Sequence, residues 1–143
     1  MSSSPARAAT RRLHLLGDGG VADKLGELAS SLGYDEIRRG DALPEALGEE
    51  DHVVVEVRDP RRARQLLAAV LAIGDPGYLG FVATENEATV ALLKLTADGV
   101  PRARVERIHA PAGVPLGAVT DDERAIAIAA ELIGLRRRPH TSS

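Results

Sequence analysis

The chain has 143 residues, a net charge of -3, no cysteine or tryptophan, and only two tyrosines and one phenylalanine. That length fits one domain, large enough to bury about two thirds of its unfolded surface. Without cysteine there is no disulfide framework, thiolate metal site or thiol nucleophile. No Gly-x-Ser-x-Gly elbow is present, and neither lysine, Lys24 or Lys94, sits in a phosphate loop. His14, His52, His109 and His140 lack the spacing of zinc ligands. A mild acidic excess with almost no aromatic residues argues against nucleic acid as a partner. No apolar run reaches the roughly 18 residues of a membrane span, and Met1–Thr10 has no apolar signal core, so the cytoplasm is the expected compartment.

Residues 1–10 and 137–143 are read as disordered tails around one domain at 11–136. Leu13–Leu16 is a short apolar run that ends in Gly17-Asp18-Gly19-Gly20. Val21, Leu25, Leu28 and Leu32 then recur at helical spacing until Gly33 stops the pattern. A second strand is expected within Tyr34–Arg39, although its residues are mostly charged. His52–Val57 is β-branched and reads as a buried strand. Asp59-Pro60 places an N-cap and a first-turn proline before a helix whose inner face is Leu66, Leu67, Val70 and Leu71.

Tyr78–Val82 is the next strand. Thr84 and Glu87 form a capping box for a helix running to Gly99 through Val90 and Leu93. Val105–His109 is expected to be a fifth short strand, followed by a loop from Ala110 to Gly117. Thr120 and Glu123 cap the last helix, whose apolar residues, including Ile126 and Ile133, surround most of its circumference and predict a well-covered element. The alternation implies βαβ units, hence a Rossmann-like α/β fold with a mostly parallel sheet flanked by helices.

In such sheets ligands bind beyond the carboxyl ends of the strands. Gly17-x-Gly19-x-x-Ala22 matches the dinucleotide fingerprint: one glycine for the turn, one for phosphate approach, and an alanine for close helix packing. Asp18 places a carboxylate inside that turn, and the ribose-binding acid expected about 20 residues onward has no clear counterpart, with Asp41 the nearest candidate. NAD(P) is therefore not the expected ligand, and packing alone would also explain the turn. Asp59 reads as either a helix cap or a ligand contact. His109 could donate to a ligand at a strand end or fix the loop with Pro111, while Gly113 and Gly117 permit close backbone approach.

The segment Arg107-Ile108-His109-Ala110-Pro111-Ala112-Gly113, continuing through Leu116-Gly117-Ala118 and the capped helix to Glu131, resembles the C-terminal Rossmann domain of the XdhC/CoxI family. These are accessory proteins of xanthine dehydrogenase and related molybdenum hydroxylases. The turn Leu16–Ala22 and the strands at His52 and Tyr78 are similar as well. The resemblance implies a non-catalytic chaperone that handles or delivers molybdenum cofactor. Its cofactor-binding candidates are Gly17, Gly19, Ala22, Asp59, His109, Gly113 and Gly117. The implied partner is a hydroxylase of the xanthine dehydrogenase or CO dehydrogenase type, and a homo-oligomer is left open. The sequence departs from the family pattern at Asp18, Gly20, Val57-Arg58 and Ala83-Thr84-Glu85. Two other readings stand beside this one: an NAD(P)-binding oxidoreductase-type domain, and a degenerate Rossmann module that only contacts other proteins.

Overall fold

In a computed structural model, residues 10–137 are described; the stretches expected as tails lie almost entirely outside them. Four strands form one parallel sheet: β1 (Arg12–Gly17), β2 (Glu36–Gly40), β3 (Asp51–Glu56) and β4 (Tyr78–Phe81), in the order β2-β1-β3-β4. Helices α1 (Gly20–Leu28) and α5 (Asp121–Arg137) cover one face. Helices α2 (Pro60–Ile73) and α3 (Glu85–Ala97) cover the other. Because side chains alternate along a strand, β3 sends Val53 and Val55 to the α2 side and Val54 to the α1 side. The result is a three-layer α/β/α arrangement, as the alternation of elements predicts.

Charge in β2 follows from its place at the sheet edge, where Glu36–Arg39 are exposed. Asp59 caps α2 by accepting from the Arg61 N–H at 3.3 Å, and Pro60 holds the first helical position. The Thr84–Glu87 capping box closes in both directions.

Two expectations change, the fifth strand and the coverage of the last helix. The segment leading to His109 forms a four-residue helix, α4 (Arg102–Val105), and the fifth strand shrinks to one parallel bridge between His109 and Gly80. His109 still donates to the Leu79 carbonyl and accepts from the Phe81 N–H, but Pro111 has no N–H with which to extend the ladder. In α3 the buried residues are Ala88, Ala91 and Leu95, while Val90 and Leu93 face outward. Ile126 and Ile133 of α5 are likewise exposed, at 53% and 43%, so this helix is not covered all round. Among the described residues, no helix is long and apolar enough to cross a membrane.

Candidate functional site

The order β2-β1-β3-β4 puts the topological switch point between β1 and β3, where the chain leaves in opposite directions and a crevice opens. Gly17 ends β1 there with φ +93°, and a Cβ would collide with the Glu56 carbonyl of β3. Ala22 is buried, so α1 packs closely on the strands. These residues come together as the fingerprint predicts.

The position a phosphate would take is filled. Glu56 lies opposite Gly17 in the sheet register, with its side chain on the α1 face. Its Oε1 accepts from the Ala22 N–H at 2.8 Å, and its carboxylate occupies the space beside Gly19. The Val21 N–H faces the same carboxylate and, like that of Ala22, favours its charged form. Part of the helix N-terminus that would otherwise attract an anion, at Val21 and Ala22, thus faces the protein's own carboxylate. Burial pushes the Glu56 carboxyl upward; the two N–H groups oppose this, while Asp121 and Asp23 add to it. Asp121, at the start of α5, presses on Gly20, and Asp18 is exposed in the turn itself. Asp23 is paired with Arg39 at 2.6 Å. Glu56 was not singled out from the sequence, although an acid ending an otherwise apolar strand opposite a glycine turn was the available signal.

On the β2 side of Gly17, a hollow of about 330 Å³ is lined by Asp18, Gly40, Asp41, Val57 and Arg62. Asp41 faces Arg62 there at 2.8 Å.

His109 lies apart from this crevice, level with Gly80 in mid-sheet. Its ring stacks on Tyr78 with centroids 4.6 Å apart, and its Nδ1 is 3.4 Å from Glu131 of α5. Glu131 also accepts from the Tyr78 hydroxyl at 2.6 Å and from the Gly113 N–H at 2.9 Å. One half-buried carboxylate therefore ties β4, the loop and α5 together. Gly113 has φ +104°, and a Cβ would come within 3.1 Å of Ala127 and Ile128, so the loop's close approach is to α5. Further across the same face, the Tyr34 hydroxyl lies 2.6 Å from His52 Nδ1; burial pushes the His52 ring down to about 4 and Tyr34 up to about 12.

Beyond the carboxyl end of β4 lies a cleft of about 530 Å³. Thr84 and Glu85 form one side, Pro111 to Ala118 the other, and Arg124, Ala127 and Ile128 of α5 the remainder. Gly113 and Gly117 both line it, whereas Asp59 and His109 do not. Space beside Gly117 is open. Arg124 forms no ion pair among the described residues, and none of the described residues form a metal-holding cluster of three or more His, Asp or Glu. The seven sequence candidates thus divide among the closed glycine turn, this open cleft, and two separate positions at Asp59 and His109.

Residues 13–132 match the family model described as the XdhC Rossmann domain. The chain is 29% identical over 147 aligned residues to the uncharacterized protein YqeB of Escherichia coli K12, covering 87% of the chain and 27% of YqeB. It is similar in fold to a crystal structure of a xanthine dehydrogenase from Bacillus halodurans, with a TM-score of 0.71 and 19% identity, over 94% of this chain and 45% of that one. The chain therefore spans about a quarter of the curated relative and less than half of the structural one.

Proposed function

Because the chain belongs to the XdhC Rossmann-domain family, we propose that it is a non-catalytic accessory protein of a molybdenum hydroxylase, working through the cleft beyond β4. The observation that carries this choice of site is the contrast along one sheet edge: Glu56 fills the dinucleotide position, while the segment from Gly113 to Gly117 lines an open space. Molybdenum cofactor, a pterin derivative bearing phosphate, suits the cleft's donor set. Arg124 would meet the phosphate, the backbone at Gly117 leaves room for close approach, and Ala127 and Ile128 offer an apolar wall. Glu85 on the opposite side sets a limit on the negative charge the cleft can accept.

The test is co-production with the apo-hydroxylase, followed by pull-down and by assay of pterin retained on the purified chain. Arg124→Glu should lower retention about tenfold or more, as loss of a charge-assisted contact worth about 1.5–3 kcal/mol would, while melting unchanged. Asp18→Ala should alter neither readout. Retention indifferent to Arg124→Glu would overturn the site. A low-micromolar Kd for NAD(P), against the millimolar or weaker value expected here, would instead restore the oxidoreductase reading.

A second reading, protein contact alone, is favoured by Leu116 and Val119, which stand 62% and 76% exposed on the loop around the cleft. Hydroxylase capture without pterin retention would select it.

A further inference from the structure

Helix α5 buries Ala125, Ala127, Ile128, Ala129 and Leu132 against the rest of the domain. Its opposite side carries a separate pattern. Asp122, Ile126, Ala130, Ile133 and Arg137 succeed one another at spacings of three or four residues, and all five are exposed. Such spacing draws a single stripe along a helix. An isolated exposed isoleucine needs no explanation. Here two lie on one line, with an alanine between them and opposite charges at the ends. The first turn of α5 is acidic through Asp121, Asp122 and Glu123, and the last is basic through Arg136 and Arg137.

That order is self-complementary when inverted. We propose that the α5 stripe is the interface for a second copy of this chain, with the two helices antiparallel about a two-fold axis passing between Ala129 and Ala130. In that arrangement Ile126 of each copy meets Ile133 of the other, and Asp122 of each meets Arg137 of the other. Alanine at the crossing lets the helices approach to the short end of the usual 8–10 Å range. Isologous contact of this kind is the form two-fold dimers take. The antiparallel pairing also sets the negative end of each helix dipole beside the positive end of its partner.

Charge complementarity selects a second copy over other occupants. A uniformly acidic or basic partner would match only one end of the stripe, and a lipid surface would meet Asp122 and Glu123 as readily as Arg137. The 17-residue helix is about 25 Å long at 1.5 Å per residue. One such pair buries an area at the low end for specific complexes, so the dimer is weak, with a Kd of about 1–100 µM and faster exchange at high salt. The cleft beyond β4 uses Arg124, Ala127 and Ile128 of α5, none of which lies in the stripe, so the inference does not rest on the proposed function.

Sedimentation velocity of the chain across that concentration range tests the proposal, with thermal melts of every variant as the folding control. Ile126→Glu should weaken association about 30-fold or more. Asp122→Arg and Arg137→Asp should each weaken it several-fold, and the double variant should recover most of the loss. The chain has no cysteine, so Ala130→Cys supplies a unique cross-linking site. Oxidation should give a disulfide-linked dimer there, since the bond needs Cα atoms within about 7 Å. Leu93→Cys, on the far face, should not cross-link. A monomer at all concentrations overturns the proposal, as does a dimer indifferent to Ile126→Glu. A wild-type chain that stays monomeric throughout, while Ile126→Glu loses hydroxylase capture, would assign the stripe to the hydroxylase and overturn it equally.

Discussion

Strand β3 begins with one carboxylate and ends with another, in surroundings of opposite kind. Asp51, only 2% exposed, receives Arg12 at 2.6 Å, His14 Nε2 at 2.9 Å and the Gly48 N–H at 2.8 Å. Burial alone would raise its carboxyl, but these three donors outweigh it and hold the group well below the usual carboxylate range. Glu56, at the other end of the six-residue strand, faces two backbone N–H groups and no cation; burial, Asp121 and Asp23 leave its carboxyl raised. One end of the strand is an ion network closed on itself. The other is a charge installed where a ligand's charge would go. The difference separates a structural end of the sheet from an end whose binding crevice has been filled from within.

The largest expected effect lies at the closed network. Asp51→Asn removes the charge that Arg12 and His14 share, and breaking a buried ion pair of this kind costs about 3 kcal/mol. For a domain of this length that lowers Tm by about 10 °C. Because the folded carboxyl is depressed, its contribution is complete above the unfolded value near 4 and is lost as pH falls through and below it. The variant should therefore be less stable than wild type at pH 7 and lose less on acidification. Denaturant melts at pH 7 and 3 decide this; equal stability at pH 7 would mean that the two ends of β3 are alike.

A smaller effect should appear when the filled crevice is emptied. Glu56→Ser with Asp18→Ala removes two carboxylates and releases the N–H groups of Val21 and Ala22. Inorganic phosphate should then bind with a Kd of about 1 mM, where wild type shows no binding. At ten times that concentration, phosphate would stabilise the double variant by about 1.4 kcal/mol. A double variant that ignores phosphate would show that Asp23 and Asp121 suffice to exclude anions, and that Glu56 is not the decisive charge.

Much of this arrangement was legible because its signals are local. Asp59-Pro60 and Thr84-x-x-Glu87 mark helix starts through backbone chemistry within one turn, and Val53–Val55 mark a strand buried on both faces. What escaped depends on partners distant in sequence. Glu56 reads as an ordinary strand end until the sheet sets it opposite Gly17. Glu131 reads as a helix surface residue until Tyr78 and Gly113 converge on it. Ile126 and Ile133 were expected to be covered because apolar content alone does not say which side of a helix faces the sheet. The fifth strand failed for a local reason that was visible: Pro101 permits a helix start, and Pro111 removes a ladder donor. The parallel-sheet rule puts the loop at Gly113–Gly117 on the carboxyl edge, where it lines the cleft, but it does not distinguish an open crevice from one stopped by a side chain.

The smallest effect bears on whether Glu56 holds α1 by its charge or only by its oxygen. Glu56→Gln keeps an acceptor for Ala22 and Val21 and removes the negative charge. A carboxyl raised in the folded state keeps its proton to higher pH than in the unfolded chain, so folding stability falls as pH rises through the window above the unfolded value near 4.3. Glutamine escapes that loss. Below about pH 4 both proteins are neutral at this position and should melt together. Toward pH 7 the variant should become the more stable by a few tenths of a kcal/mol, since Glu56 is only half-buried and solvent screens its repulsion from Asp121 and Asp23. The measurement is the difference in Tm between the two proteins from pH 4 to 7 at low and high salt, with the gap shrinking as salt rises. A variant less stable than wild type at pH 7 would show that attraction between the carboxylate and the helix N-terminus exceeds the repulsion from its neighbours. Glu56 would then resemble Asp51 as a stabilising charge, and the contrast between the two ends of the strand would reduce to the presence or absence of a cation.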